Sequence, residues 1–307
     1  MRKIKVGVIG VGHLGIIHAQ IYQQLPQAEL VAISEINLRR LKEASCQLGV
    51  PGYIDYKELF GQIEAASIVV PTLLHYKIAQ DFLKHNISVL VEKPFTTNLS
   101  EADKLIKLVR QKNLTLQVGH IERFNSAFVA AKRFVKNPRF IECHRLSPFP
   151  NRCLDVGVVL DLMIHDIDII LGLVKSKIRK IDAVGVNVLT PFEDIASARL
   201  EFVNGCVCNL TSSRVSEEAM RKIRIFFENT YVSLDYKNEQ AFFYQRKKQS
   251  ISKRHLPIEK EPPLERELVS FLECVAEHKK PMVTGCIARQ ALAIALEIKN
   301  KIWQRIQ

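Results

Sequence analysis

The sequence lacks the features that mark several protein classes. No stretch of about 18 apolar residues is free of charged side chains, so we expect no membrane span. Glycine and proline, with 13 and 12 residues, are too few for a collagen-like or low-complexity chain. With 47% hydrophobic residues among 307, the composition is that of a globular protein large enough for roughly two domains.

The cysteines indicate a reducing compartment. There are seven, an odd number, and none belongs to a Cys-x-x-Cys pair. The basic start of the chain leads into a short, glycine-interrupted apolar run without a small-residue cleavage site, which predicts a first β-strand rather than a signal peptide. We therefore expect reduced thiols and a cytoplasmic location. Cys206 and Cys208 share one face of a predicted strand, but two thiols alone predict no metal site.

Acidic side chains are the scarcer charged type. Lysine and arginine together number 44, against 32 for aspartate and glutamate, which gives a net charge of +12 at pH 7. This excess favours an anionic partner, whether a phosphorylated cofactor, an anionic substrate or a nucleic acid. The basic segment Gln245–His255 holds no acid and predicts an exposed loop. Because no aromatic platform or recognition helix accompanies it, we do not expect nucleic acid to be the partner.

The pattern of apolar residues changes near residue 119. Before it, single strands alternate with single helices, which predicts parallel βαβ units in a doubly wound α/β sheet. Beyond it, strand-like runs from Ile181 to Tyr244 follow one another through short turns, which predicts an α+β domain with an open, mostly antiparallel sheet. We therefore expect one domain at residues 1–119 and a second at residues 120–307.

A glycine-rich turn follows the first predicted strand. Gly10, Gly12 and Gly15, with His13 and Leu14 between the last two, form a Gly-x-Gly-x-x-Gly motif that opens a predicted helix. The first glycine permits a tight turn, the second lets the backbone approach a pyrophosphate, and the third lets the helix pack against the strand. The pyrophosphate would lie at the helix N-terminus, where free N–H groups favour anions. This context predicts a dinucleotide-binding Rossmann domain.

The end of the second predicted strand indicates which dinucleotide binds. Glu35 stands there, 20 residues after Gly15. A carboxylate at this position can accept hydrogen bonds from both ribose hydroxyls and would repel a 2′-phosphate. We therefore expect NAD as the cofactor. Arg39 and Arg40 follow closely, so NADP remains an alternative.

Lys93 is the first catalytic candidate. The sequence Glu92-Lys93-Pro94 ends the fifth predicted strand, and ligands of open α/β sheets bind at the carboxyl ends of strands. A lysine whose pKa is lowered by desolvation or by a nearby cation can take part in proton transfer. The alternative is an ordinary solvated lysine at a strand end, which is the more frequent case.

The fourth predicted strand ends in a similar way. Pro71, Thr72 and His75 stand between this strand and a helix, where they could contact the nicotinamide or its ribose. The alternative is structural: Pro71 stops the strand and the Thr72 side chain caps the helix.

An acid and a histidine form the second catalytic candidate. Asp161 and His165 are four residues apart in a long apolar helix predicted over Val158–Leu173, which places them on one face within contact distance. Asp161 can orient His165 and stabilise its charged form, as a general base requires. The alternative is a mutually satisfied pair, with Asp166 and Asp168 near the surface.

Together these motifs resemble those of the Gfo/Idh/MocA family of NAD(P)-dependent oxidoreductases. The matching positions are Gly10–Gly15, Pro71, Thr72, His75, Glu92-Lys93-Pro94, Asp161, His165 and Asp168. The resemblance implies a Rossmann domain followed by an α/β domain whose open sheet binds substrate and forms a homo-oligomer, either a dimer or a tetramer. It implies that Pro71, Thr72, His75 and Glu92 contact the cofactor, and that Lys93 and His165 flank the carbinol of the substrate.

Within the family, the chain looks like the subgroup that acts on nucleotide sugars such as UDP-N-acetylglucosamine, linked to lipid A or surface-sugar synthesis. Residues 119–125 and 155–168 carry this likeness. Two positions depart from the common pattern: Ser126 replaces a frequent proline, and Met163 replaces a frequent glycine, which would narrow the pocket.

Four residues are candidates for binding this substrate in addition to Lys93 and His165. They are Arg123, Asn125, Arg152 and Arg214. Arginine binds phosphate bidentately, so the three arginines could hold a diphosphate, although each could equally be a surface residue that forms a salt bridge. Other small substrates (a polyol, an inositol, a dihydrodiol or a tetrapyrrole) and a non-catalytic NAD-binding regulator remain alternatives.

Overall fold

The computed structural model of this chain describes residues 2–149 and 156–306. The chain divides into two compact units. The first comprises residues 1–121 and 264–289, and the second comprises residues 122–263 and 290–307. Part of the C-terminal helical region therefore belongs to the first unit.

The first unit contains a six-stranded parallel sheet with four helices in βα alternation. The strands are β1 (Ile4–Ile9), β2 (Ala28–Ser34), β3 (Gly52–Tyr53), β4 (Ala65–Ile68), β5 (Ser88–Glu92) and β6 (Leu116–Gly119). The helices are α1 (His13–Gln24), α2 (Leu38–Leu48), α3 (Thr72–Lys84) and α4 (Leu99–Lys112), with a short 3₁₀ helix at Tyr56–Leu59. The strand order is β3-β2-β1-β4-β5-β6, which is the doubly wound arrangement predicted from the sequence.

Local sequence explains the boundaries of these elements. All residues of β4 and β5 are buried, as expected for central parallel strands covered on both faces. Asn37 and Asn98 cap α2 and α4, because their side chains accept hydrogen bonds from backbone N–H groups in the first turn. Gly49 ends α2 in the left-handed conformation (φ 64°), which costs glycine little.

The second unit contains an eight-stranded sheet of order β14-β13-β12-β11-β7-β10-β9-β8. Its strands are β7 (Phe140–Leu146), β8 (Ile178–Val186), β9 (Ile195–Phe202), β10 (Val207–Ser213), β11 (Met220–Phe227), β12 (Thr230–Asp235), β13 (Gln240–Lys247) and β14 (Ser250–His255). Only the pairing of β7 with β10 is parallel among these strands; the other neighbours are antiparallel. The predicted α/β fold class, with a second and mostly antiparallel sheet, is confirmed.

Helices complete both units. A 3₁₀ helix at Ile121–Phe124 precedes α5 (Ser126–Lys132), and a π-helical segment at Val159–Met163 leads directly into α6 (Ile164–Leu173). The last two helices are α7 (Pro263–Glu277) and α8 (Gly285–Ile306). No helix in the described part of the chain is long and apolar enough to cross a membrane.

The segment Gln245–His255 corrects one sequence prediction. It is not a loop: it forms the end of β13 and the whole of β14, which pair as an antiparallel hairpin at the edge of the sheet. Tyr244 pairs with Lys253, whose ammonium lies 4.1 Å from the ring centroid of Phe242. Aromatic side chains therefore do accompany this basic segment. Lysine on an edge strand also discourages pairing with another sheet.

Candidate functional site

The glycine turn after β1 is packed too closely for larger side chains at two positions. Gly10 has φ +85°, and a Cβ there would lie 2.8 Å from Val70 Cγ1. A Cβ on Gly15 would lie 2.9 Å from the carbonyl carbon of Gly10 and closer still to its oxygen. The first and third glycines therefore allow α1 to begin tightly against the turn.

The second glycine of the motif lies in open space. No heavy atom lies within 4 Å of a Cβ built on Gly12, which is the N-cap residue of α1. No side chain caps this helix end, and the first turn contains no acidic residue. His13 is exposed and Leu14 is half-buried beside it. These residues fit the phosphates of a dinucleotide, because the N–H groups of the first turn and the helix dipole favour an anion there.

Glu35 lies at the end of β2 against this turn, where the sequence predicts it. Its buried carboxylate accepts a hydrogen bond from the Val11 N–H (3.2 Å) and another from the Asn37 N–H (3.0 Å). The half-exposed Arg40 pairs with the same carboxylate at 3.1 Å, whereas Arg39 pairs with Glu43 on the helix surface. A fixed negative charge beside the glycine turn fits a ribose with free hydroxyls.

His75 is buried between two stretches of backbone. Its Nδ1 lies 2.8 Å from the Pro94 carbonyl oxygen and its Nε2 lies 2.9 Å from that of Val70. Burial lowers the pKa of His75, and this effect outweighs the hydrogen bonds to the two carbonyls, which raise it. Pro71 is the N-cap of α3 and Thr72 its first residue, without a side-chain cap. The structure therefore ties His75 to the segment after Lys93, and the alternative that Thr72 caps the helix is wrong.

Glu92 and Lys93 stand at the end of β5. The Glu92 carboxylate is buried, lies 3.5 Å from Nε2 of the fully buried His18, and accepts a hydrogen bond from the Lys93 N–H at 3.2 Å. Burial raises the pKa of Glu92, but the neighbouring His18 and the charge of Lys93 outweigh it, so the pKa is lowered. Lys93 is half-buried, and its peptide bond to Pro94 is cis.

A second buried carboxyl group, Glu267, was missed by the sequence reasoning. It lies on α7, it is fully buried, and none of the described residues forms a hydrogen bond with its carboxyl oxygens. Burial raises its pKa well above the ordinary value, and the charge of Glu92 raises it further. Helical periodicity gives the signal, because Glu267 falls within the buried stripe of Leu264, Leu268 and Phe271.

Asp161 and His165 lie in the second unit, where both are half-buried. Asp161 belongs to the π-helical segment and His165 is the second residue of α6, so their spacing is not that of one regular α-helix. π-helical turns are frequent at functional sites. The expectation that Asp166 and Asp168 are near the surface is wrong, because both are buried and paired with arginines.

Two buried arginines hold these carboxylates. Arg123 donates from Nε (2.5 Å) and Nη2 (2.9 Å) to the two oxygens of Asp168. Arg145, on β7, donates from Nε (3.0 Å) and Nη2 (2.9 Å) to Asp166 and from Nη1 (2.8 Å) to Glu122. Burial alone would lower the pKa of Arg145, but the two carboxylates raise it well above its ordinary value.

Three of the four predicted substrate anchors make contacts inside the protein. Arg123 is engaged as described above, and the Asn125 side chain caps α5 by accepting a hydrogen bond from the Ala127 N–H. Arg214 is fully buried, donates to the Val156 carbonyl at 2.6 Å and lies 3.8 Å from Asp194. Arg123 and Arg214 therefore form ion pairs, as the alternative interpretation expected, but they lie in the interior and not at the surface. Arg152 lies outside the described residues. No cluster of three or more metal-ligating side chains occurs within residues 2–149 and 156–306.

Comparisons with known proteins match both parts of the chain. Residues 4–120 match the model of the oxidoreductase family with an NAD-binding Rossmann fold, and residues 124–233 match that of the GFO/IDH/MocA C-terminal domain. The chain is 35% identical over 306 residues to UDP-N-acetylglucosamine 3-dehydrogenase of Acidithiobacillus ferrooxidans, covering 97% of each protein. A solved structure with that name, from the same organism, has a TM-score of 0.94 and covers 100% of both chains. Myo-inositol 2-dehydrogenase of Thermotoga maritima is 27% identical over 338 residues, 98% of this chain and 97% of the relative.

Proposed function

The chain belongs to the Gfo/Idh/MocA family of oxidoreductases and carries its NAD-binding Rossmann domain, and we propose that it oxidises the 3-hydroxyl of UDP-N-acetylglucosamine to a ketone. The choice of this substrate is based on the 35% identity, over 97% of both proteins, to the A. ferrooxidans enzyme. The net charge of +12 also suits an anionic nucleotide sugar. In this proposal the enzyme works in the cytoplasm and supplies lipid A or surface-sugar synthesis.

Three half-buried side chains carry the chemistry in this proposal. Bound NAD⁺ supplies the hydride acceptor. His165 takes the proton of the substrate hydroxyl, and Asp161 orients the imidazole and stabilises the positive charge that it gains. Lys93 donates a hydrogen bond to the same oxygen and stabilises the negative charge that develops there.

Turnover measurements test this function. Purified protein is incubated with NAD⁺ or NADP⁺ and with UDP-N-acetylglucosamine, its C4 epimer UDP-N-acetylgalactosamine, free N-acetylglucosamine or myo-inositol, and NADH or NADPH absorbance is followed. We expect turnover with NAD⁺ and UDP-N-acetylglucosamine. Faster turnover with myo-inositol would favour the class of the Thermotoga relative. No turnover with any substrate, together with tight NAD binding, would favour the non-catalytic regulator.

The roles of the side chains are tested by single variants. Positioned proton transfer contributes about 10²–10⁴-fold to a rate. We expect Lys93→Ala and His165→Ala each to lower kcat by such a factor while NAD affinity stays within about twofold of the parent. Wild-type turnover in both variants would refute the assignment.

We further propose that the protein is a homo-oligomer assembled through the half-exposed face of the eight-stranded sheet. Phe140, Phe226, Tyr231 and Tyr244 form a continuous row of rings across β7, β11, β12 and β13, with Tyr231 and Tyr244 stacked at 4.1 Å between centroids. An exposed apolar patch of this kind marks an interaction surface. Light scattering with size-exclusion chromatography should give a dimer or tetramer that Tyr231→Arg dissociates. A monomeric wild type would refute it.

A further inference from the structure

Helix α6, which carries His165, is buried mainly through apolar side chains, which form no hydrogen bonds. Ile164, Ile167, Ile169 and Ile170 are fully buried and point to several sides of the helix. The hydrophobic effect is non-directional, so these isoleucines hold α6 in the core without a hydrogen bond that sets its rotation about its axis. The π-helical segment Val159–Met163 precedes α6, so regular α-helical hydrogen bonding does not continue upstream of His165.

Two buried ion pairs hold α6 on either side of His165. Each residue of an α-helix advances by about 100° around the axis. Asp166 therefore lies about 100° from His165 in one direction, and Asp168 lies about 60° from it in the other. Arg145 from β7 and Arg123 from the 3₁₀ helix hold these two carboxylates bidentately. Rotation of α6 in either direction would stretch one of the two pairs.

The helix is also shaped to receive one of these arginines. A Cβ on Gly172 would lie 2.8 Å from Cζ of Arg123, so a larger residue there would displace the guanidinium. Arg123 donates as well to the main-chain carbonyl of Asp168, at 2.7 Å. On the other side, the Arg145 guanidinium lies 5.8 Å from the ring centroid of Tyr236, which is buried with it.

Such pairs contribute orientation more than stability. A buried ion pair pays for desolvation, and replacement by apolar residues of similar volume is often neutral or stabilising. Orientation, in contrast, has a large effect on catalysis. A side-chain tip about 5–6 Å from the helix axis moves by about 1 Å for a rotation of about 10°. A misplacement of about 1 Å can lower a rate roughly 10²-fold.

We propose that Arg145 and Arg123 are positioning residues for the reaction, which fix the direction of the His165 ring by holding Asp166 and Asp168. The inference rests on the proposed function, because it requires His165 to act as the base. It assigns to Arg123 a role inside the protein instead of contact with a substrate phosphate.

Lysine substitutions test the proposal because they keep the charge but lose bidentate geometry. We expect Arg123→Lys and Arg145→Lys each to lower kcat by about 10- to 100-fold, with NAD affinity unchanged. Arg289→Lys is the matched control, since Arg289 also holds a carboxylate bidentately, that of Asp103, but at the surface of the first unit. This control should keep the kcat of the wild type.

A double-mutant cycle separates positioning from a general structural role. If Arg123 acts through His165, then adding Arg123→Lys to His165→Ala should change kcat by less than about twofold, because the effects of residues that act as a unit are not additive. Effects that multiply would overturn the proposal. Asp168→Asn in the same cycle replaces Arg123→Lys if the latter does not fold. Unchanged kcat in His165→Ala would instead refute the assignment of His165 as the base, and with it this inference, whereas the absence of turnover in the wild type would refute the proposed function itself.

Discussion

Alanine at two glycines of the same motif should separate folding from cofactor binding. In Gly15→Ala the new Cβ meets the carbonyl group of Gly10, with the carbon at 2.9 Å, whereas real Cβ atoms keep at least 3.0 Å from other heavy atoms. Because that carbonyl is backbone, α1 must move away from the turn. Overpacking of this kind costs about 1–3 kcal/mol.

Gly12→Ala should leave the stability of the free protein unchanged and weaken the binding of NAD. The backbone there is extended (φ −67°, ψ −163°), which alanine adopts without strain, and no heavy atom lies within 4 Å of the new Cβ. The stability of the free protein should therefore change by less than about 0.5 kcal/mol. The methyl group would occupy the space in which we place a phosphate of NAD. Weakening one charge-assisted hydrogen bond costs about 1.5–3 kcal/mol, so NAD should bind about 10- to 100-fold more weakly.

Urea unfolding of the free protein and calorimetric titration with NAD measure the two effects. Wild-type NAD affinity in Gly12→Ala would refute the argument that phosphates lie over the turn. Wild-type stability in Gly15→Ala would show that the contact between α1 and Gly10 relaxes at no cost, and that the third glycine is not required for packing.

Three further substitutions test other parts of the first unit. Burial raises the folded-state pKa of Glu267 above its unfolded value, so the wild type should lose about 1.4 kcal/mol of stability per pH unit as the pH rises from the unfolded to the folded pKa. Glu267→Gln removes this titration and should not show the loss. Melting temperatures of both proteins at about pH 5 and about pH 8 test the difference. Glu35→Ser removes the carboxylate that pairs with Arg40 and should shift the NAD to NADP ratio of kcat/KM toward NADP by about tenfold. An unchanged ratio would contradict the role of Glu35. His75→Ala removes the buried contacts with the Pro94 and Val70 carbonyls and should cost about 1–3 kcal/mol, seen in urea unfolding.

Features that depend on neighbouring residues could be predicted from the sequence. The close contacts of Gly10 and Gly15, the caps at Asn98 and Gly49 and the position of Glu35 at the end of β2 all follow from short-range rules. The basic hairpin at residues 245–255 does not follow from such rules, because β14 shows no alternation of buried and exposed residues that would indicate a strand.

Features that depend on distant residues could not be predicted. Asp166 and Asp168 resemble surface acids in the sequence, and only their arginines, 21 and 45 residues away, make their burial possible. Helix α7 places Glu267 beside the parallel sheet. There the side chain of Gln117, which is 150 residues away in the sequence, donates a hydrogen bond to the main-chain carbonyl of Glu267. A single sequence contains no information on such pairings, so the charge networks of both units emerge only from the fold.

These networks favour the direction of proton transfer that we propose. Among the described residues paired with α6, three buried carboxyl groups (Asp166, Asp168 and Glu122) contact two buried guanidinium groups, those of Arg123 and Arg145. Arg221 also acts on Asp166, but it is exposed and its charge is screened by solvent. Asp166 and Asp168 lie on the same helix as His165, and Glu122 lies on the 3₁₀ helix that also carries Arg123. A negative environment stabilises imidazolium, so it favours uptake of the proton that oxidation of an alcohol releases.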